Sequence, residues 1–216
     1  MGGCCEPRGY DELFGARFSR HLARRYRKRG LDRTASRMVE FLTAQGVEGA
    51  SVLEIGGGVG DLQLELLRRG AARATNLELV DAYDADARTL AADAGLTERL
   101  TRRQLDLAVS PDEVEPHDIV VLHRVVCCYP DHQRLLTAAA GHANRLLVFS
   151  HPPRNAISRA MFAAENLLFR LRRMTFRTYL HDPADLVRSA EDGRLRPAYR
   201  HHGMTWHVVG LTTSAG

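Results

Sequence analysis

The stretch Val52-Leu53-Glu54-Ile55-Gly56-Gly57-Gly58-Val59-Gly60-Asp61 gathers the groups in this sequence best suited to handling a ligand. Glycines after an apolar run let a backbone turn tightly and come close to a ligand, while a helix opening behind them points free N–H groups at it. Nucleotides, flavins and sulfonium nucleosides all use such a turn, so the charge around it decides. In a dinucleotide fingerprint the sixth position is a glycine and a pyrophosphate rests on the helix end, whereas Asp61 stands there in this chain and would repel phosphate. A ligand with an ammonium, a sulfonium and a single carboxylate avoids that repulsion, and Glu54 adds negative charge beside it. S-adenosylmethionine is such a ligand, with Gly56, Gly57, Gly58 and Gly60 as its expected cradle.

Two further carboxylates follow at strand ends. Glu78, in Asn76-Leu77-Glu78-Leu79-Val80-Asp81, is spaced from Gly56 so that it could accept hydrogen bonds from both ribose hydroxyls, with Asp81 as the competing candidate. Asp106, in Gln104-Leu105-Asp106-Leu107, is expected to close a third strand and accept from an adenine amino group. Leu79, Leu107 and His123 complete the expected cofactor-binding set.

In an open α/β sheet the chemistry lies beyond the carboxyl ends of the strands. His123, Arg124, Cys127, Cys128, Tyr129, His151 and Arg154 follow the fourth and fifth strands and should face the transferred group. Methyl transfer is a direct displacement on carbon, so a protein mainly aligns the nucleophile and removes its proton. His151 and His181 are the expected proton acceptors, with Cys128 and Tyr129 beside them as candidate catalytic residues.

The elements that position these residues are read from periodicity. Tyr10, Phe14, Phe18, Leu22 and Tyr26 recur every four residues, which predicts one cap helix ending near Gly30, and a second helix runs from Asp32 to Gly46. Strands then alternate with helices: Val52 to Ile55, Ala74 to Val80, Arg102 to Leu107, Asp118 to His123 and Arg145 to Ser150. That rhythm predicts a Rossmann-like, doubly wound α/β fold with a mostly parallel sheet. Past His151 a helix over Ile157 to Leu171 reads as a lid insertion, with Arg170, Arg172, Arg173 and Arg177 near its end to grip acceptor carboxylates. A short helix from Pro183 and a hairpin around Gly203 finish the chain. The expected organisation is a single domain over 1–216: helical cap 1–48, cofactor-binding core 49–150, lid 151–181, and C-terminal helix and hairpin 182–216.

Composition narrows the setting. At 216 residues, 44% hydrophobic and 26% charged, the chain suits one globular domain. No apolar run reaches the roughly 20 residues of a membrane helix, and the opening residues carry neither a secretory leader nor, with Glu6 where Ser or Thr is needed, a myristoylation signal. The net charge of +4 comes from arginine, since Lys28 is the sole lysine, and the basic stretch Arg17 to Arg37, with Glu and Asp scattered around it and no aromatic interleaving of a single-strand groove, reads as a solvated helix face. The two cysteine pairs, Cys4-Cys5 and Cys127-Cys128, match neither a disulfide framework nor a zinc site. A cytoplasmic monomer or homodimer is expected, acting on a small molecule, with no bound metal and no nucleic-acid or membrane partner.

Taken in order, Val-Leu-Glu-Ile-Gly-Gly-Gly-Val-Gly, Asn-Leu-Glu-Leu and Gln-Leu-Asp-Leu resemble the class I S-adenosylmethionine-dependent methyltransferases over about Val52 to Ser150. The resemblance implies a seven-stranded sheet whose last strand is antiparallel. It also places Gly56, Gly58 and Gly60 under the methionine moiety, Glu78 on the ribose and Asp106 at the adenine. Within that superfamily the chain is most similar to the magnesium-protoporphyrin O-methyltransferases and their bacterial relatives. The cap, Val-Val-Cys-Cys-Tyr-Pro-Asp from Val125 and Thr-Tyr-Leu-His-Asp-Pro-Ala-Asp from Thr178 carry that likeness. Those enzymes have His before Tyr-Pro, where this chain has Cys128. The expected activity is methylation, chiefly O-methylation, of a small, largely apolar acceptor, one bearing carboxylates included. The alternatives are a thiol- or metalloid-directed methyltransferase in which Cys4-Cys5 meet Cys127-Cys128, a NAD(P)-binding oxidoreductase, and a binding module that keeps the fold without turnover.

Overall fold

The computed structural model describes residues 9–191 and 193–213. The cap consists of α1 (Tyr10–Leu13), α2 (Ala16–Arg29) and α3 (Arg33–Ala44). The core follows as β1 (Ser51–Ile55), α4 (Asp61–Arg68), β2 (Arg73–Glu78), α5 (Asp84–Asp93), β3 (Leu100–Gln104), β4 (His117–Leu122), α6 (His132–Gly141) and β5 (Ala143–His151). Then come α7 (Ala156–Leu171), α8 (Pro183–Ala190) and the hairpin β6 (Leu195–His202) and β7 (His207–Thr213).

The seven strands form one sheet in the order β3-β2-β1-β4-β5-β7-β6. The first five are parallel, and β7 inserts antiparallel between β5 and β6. β1 and β4 lie at the centre, which is why they are continuous apolar runs: successive side chains point to opposite faces, and both faces are covered. Val52, Ile119 and Val121 enter the core shared with the cap, α4 and α5. Leu53, Ile55, Val120 and Leu122 enter the core under α6 and α8.

Two expectations about elements change. The single cap helix is broken: Phe14 leaves helical geometry and Gly15 is extended, so the chain restarts as α2. Every-fourth-residue spacing drifts around a helix by about 40° per step, and with the break Tyr10, Phe14, Leu22 and Tyr26 still pack on the core while Phe18 is 40% exposed. The third strand is Leu100–Gln104 and stops two residues short of Asp106. This edge strand is read poorly from hydropathy because Arg102 and Arg103 pair with Asp84 and Glu113 instead of entering a core.

Candidate active site

The carboxyl ends of β1, β2 and β4 open on a cavity of about 310 Å³ that the cap closes from above. Its floor is the glycine turn. Gly56 and Gly58 have φ of 64° and 52°, a region side chains avoid, and Gly56 donates to the Leu77 carbonyl at 2.7 Å, which stitches the turn to β2. Gly57 has no room for a side chain: a Cβ there would lie 2.1 Å from Asn76 Nδ2 and 2.7 Å from the Glu54 carboxyl carbon. Gly60, in left-handed geometry, starts α4 and is not among the lining residues, whereas Gly56, Gly57, Gly58 and Asp61 are.

Glu78 ends β2 and lines the cavity. Its carboxylate accepts from Gly58 N (2.8 Å), Leu79 N (2.8 Å) and Val80 N (3.3 Å), so it fixes the turn as well as facing a ligand. Burial pushes its carboxyl above the usual range, and these N–H donors pull it partly back. Three accepted bonds leave lone-pair capacity for ribose hydroxyls. Asp81 lies outside the cavity lining. Asp106 and Leu107 lie in it together with Leu79 and Leu105. Asp106 sits in the turn beyond β3, where its Oδ1 accepts from Ala108 N at 3.0 Å.

Glu54 departs from its expected place. It is 2% exposed and sits beneath the glycine turn among Gln63 and Asn76, not in the cavity. Burial, then the neighbouring Asp61, drives its carboxyl strongly toward the neutral form, so it supplies structure in place of surface charge. The acid that faces a ligand here is Asp61. Its carboxyl is also raised by burial, with His123 pulling it down, and an arriving cation would lower it further.

The far side of the cavity holds the acceptor candidates. After β4 the chain runs through Arg124, at φ 60°, to Cys127, Cys128 and Tyr129, all of which line the cavity. The Tyr129 hydroxyl donates to both Asp106 oxygens, at 3.0 and 2.9 Å. The Cys127 and Cys128 sulfurs are 3.6 Å apart; the contact with Cys128, then burial, holds the Cys127 thiol well above its ordinary pKa. Among the described residues no group of three or more His, Cys, Asp or Glu side chains could hold a metal ion. Cys4 and Cys5 lie outside the described residues.

Neither expected catalytic histidine lines this cavity. His151, 3% exposed, faces a separate recess with His202 and His207, donates from Nδ1 to the Pro152 carbonyl at 2.9 Å, and is lowered to about 4 by burial. His181 bonds through Nε2 to the Tyr129 carbonyl and packs between His132 and Tyr179; burial lowers it as well. Arg154 pairs with Asp182 and also lies outside the lining. The one histidine among the described lining residues is His123, with Nδ1 3.1 Å from Ser150 Oγ and Nε2 3.4 Å from Asp32 Oδ2.

The cap supplies what sequence reasoning missed. Tyr10, Phe14, Phe18, Leu22 and Tyr26 form an apolar roof, joined by Arg25, Asp32 and, from the β6–β7 turn, Trp206. Asp32 caps α3 through Thr34 N and Ala35 N while its other oxygen meets Arg25, Arg124 and His123. Burial alone would raise its carboxyl, but the hydrogen bond and charge of His123, the Ala35 N–H and Arg124 hold it well below the usual range. The lid arginines Arg170, Arg172, Arg173 and Arg177 do not line the cavity; Arg177 donates to the Met174 and Phe176 carbonyls.

Residues 53–144 match the family model described as a methyltransferase domain. No curated protein matches the sequence. Among solved structures, the magnesium protoporphyrin IX methyltransferase of Synechocystis PCC 6803 with bound SAH superposes with a TM-score of 0.73 at 20% identity, over 96% of this chain and 98% of that one. An O-methyltransferase family protein of Burkholderia thailandensis gives 0.70 at 18% identity, over 98% of this chain and 64% of that one. An O-methyltransferase family 2 protein of Planctomyces limnophilus in complex with apigenin gives 0.65 at 18% identity, over 92% and 62%. At these identities the likeness speaks for the fold, and it lends nothing to the oxidoreductase or metalloid alternatives. Residues 53–144 are a methyltransferase domain, carried on the class I S-adenosylmethionine-dependent methyltransferase fold.

Proposed function

We propose that the chain transfers the methyl group of S-adenosylmethionine to an oxygen of a small, largely apolar acceptor that sits under the cap. The carrying observation is the division of one cavity into a carboxylate-edged glycine floor and an aromatic roof. Glu78 would hold the ribose, Asp106 the adenine amino group, and Asp61 the positive methionine end, each acid meeting a hydrogen-bond donor or a cation. When bound, the cofactor supplies an electrophilic methyl carbon. The work left to the chain is to hold the acceptor oxygen in line with it and keep water out, which Tyr10, Phe14, Phe18 and Leu22 are placed to do. His123 is the one histidine among the described lining residues, and because Ser150 and Asp32 engage both of its ring nitrogens it takes the acceptor proton only after letting go of one of them. O-methylation draws support from the names of two of the superposed proteins. A cytoplasmic setting and a small-molecule partner belong to the same reading.

Calorimetry with S-adenosylhomocysteine and, separately, NADPH tests the cofactor half, and labelled cofactor with a host extract tests the acceptor half. One-to-one binding of S-adenosylhomocysteine and a labelled small metabolite are expected. Binding of NADPH alone would overturn the cofactor assignment, while cofactor binding without any labelled product would leave a binding module. Glu78→Ala should weaken S-adenosylhomocysteine by about 1 to 3 kcal/mol, as for lost hydrogen bonds to a charged group.

A further inference from the structure

Helix α7 turns its polar-poor face away from the protein. Ser158, Phe162 and Phe169 are the residues it buries, and it is fixed to the following segment by Asn166 Nδ2 donating to the Thr178 carbonyl and by Phe169 against Phe176. The opposite face is apolar and exposed: Ile157 (79%), Met161 (49%), Leu167 (57%), Leu168 (43%) and Leu171 (74%). At 100° per residue these five, with Ala160 and Ala164 between them, occupy one uninterrupted arc of about 120° along a helix about 24 Å long. No polar side chain lies inside the arc. Arginine lies on both of its borders, Arg159 and Arg170 on one and Arg172 on the other. Between Arg154 and Arg177 the sole acid is Glu165, which is half-buried.

We propose that this face docks on the surface of an anionic lipid bilayer, with the apolar arc at the level of the upper acyl chains and the arginines among the head groups. An apolar stripe bordered by basic residues on an otherwise folded protein has the chemistry of an interfacial helix, and a patch this continuous is uncommon on a monomer's surface. Charge selects the lipid over a second copy of the chain. A twofold contact would set the arginine borders of two α7 helices against each other, six arginines with only the two half-buried Glu165 carboxylates to pair them. Docking in the plane of the membrane is distinct from crossing it, and among the described residues no helix is long and apolar enough to cross. The proposal stands independently of which acceptor is methylated.

The test is flotation of the full chain with vesicles of phosphatidylcholine and phosphatidylglycerol in equal parts, and with phosphatidylcholine alone, at about 0.1 M salt. The wild type should float with the anionic vesicles only. The triple variant Ile157→Gln/Leu168→Gln/Leu171→Gln, altered at exposed positions, should lose about tenfold or more of that affinity. Arg159→Gln/Arg170→Gln/Arg172→Gln should lose the dependence on phosphatidylglycerol and on salt. Should a triple variant fail to fold, Leu171→Trp offers a second reading: its fluorescence should shift to the blue on adding anionic vesicles. A wild type that does not float, an apolar variant that floats like wild type, or a tryptophan that does not shift each overturns the proposal. So does light scattering that shows a dimer dissociated by the apolar variant while vesicles are ignored, since the face would then be a contact between copies.

Discussion

Replacing Tyr129 by Phe separates two uses of one hydroxyl. Tyr129 is 2% exposed, and its hydroxyl reaches both oxygens of Asp106, at 3.0 and 2.9 Å, while Ala108 N holds Asp106 from the other side. The ring packs in the core under α6, so Phe preserves volume and removes one oxygen. A hydrogen bond to a charged acceptor is worth about 1.5 to 3 kcal/mol, and part of that is lost from folding whether or not a ligand is bound. If Asp106 is being aimed at an adenine amino group, about 1 kcal/mol of the remainder should appear in binding, or roughly fivefold in affinity. Calorimetry with S-adenosylhomocysteine and steady-state kinetics read this out together: Kd and the KM for S-adenosylmethionine should rise in step, with kcat within about twofold. Combining Tyr129→Phe with Asp106→Asn should give less than the sum of the single effects, because the hydroxyl acts through the carboxylate. A kcat lower by two orders of magnitude at unchanged Kd would refute this and return Tyr129 to the acceptor chemistry. An unchanged Kd and kcat would remove Asp106 from the adenine.

Gly57→Ala places a methyl group against the buried Asn76 and Glu54 side chains, so a loss of about 1 to 3 kcal/mol of stability by urea unfolding and a collapse of cofactor binding are expected. Cys128→Ser should keep turnover within about twofold, since the adjoining Cys127 thiol is held protonated and no cluster completes a metal site among the described residues; abolished turnover with intact cofactor affinity would restore the thiol reading. His151 has a folded pKa lowered from 6.5 to about 4 by burial, so the stability it contributes is complete above about pH 6.5 and is lost as pH falls through 4. The full span is of the order of 3 kcal/mol, and His151→Gln should flatten the fall in urea midpoint between pH 7 and pH 4.5 relative to wild type. An equal pH slope in both proteins would mean that His151 titrates normally.

Much of the cavity floor is legible in the sequence because each of its residues is tied to a local signal. Strand β1 is an unbroken apolar run, the glycines mark the turn, and Glu78 falls at the carboxyl end of the next strand. The same local logic misplaces Glu54, since adjacency in sequence to the glycines says nothing about which face of the strand its side chain leaves from. The far side of the cavity is long-range, and there the sequence is a poorer guide. His151 and His181 follow suitable elements yet point elsewhere, because β7 pairs with β5 beyond the cavity and carries His207 to His151, while the Tyr129 carbonyl claims His181. The cap stripe of Tyr10 to Tyr26 is visible as a periodic face, but periodicity cannot tell a face that packs on a core from one that roofs a cavity. Asp32 reads as a helix cap and is one; its second oxygen, which gathers Arg25, His123 and Arg124, has no counterpart in local sequence.

Asp32 also accounts for the least comfortable backbone position near the site. Arg124 has φ of 60°, a conformation that costs a residue with a side chain about 1 to 3 kcal/mol unless its surroundings fix it. Three contacts do so: its N–H donates to Ser150 Oγ at 2.9 Å, its guanidinium meets Asp32 at 2.8 Å, and the same group lies over the Trp206 ring at 5.1 Å. These partners come from β5, from the cap and from the β6–β7 turn, so the bend after β4 is held by parts of the chain distant from one another in sequence. That bend aims Cys127, Cys128 and Tyr129 into the cavity, and Tyr129 in turn sets Asp106. His123, the Ala35 N–H and Arg124 hold the Asp32 carboxyl well below the usual range, so its pairing with Arg25 and Arg124 ties the bend after β4 to the cap as well as to the sheet.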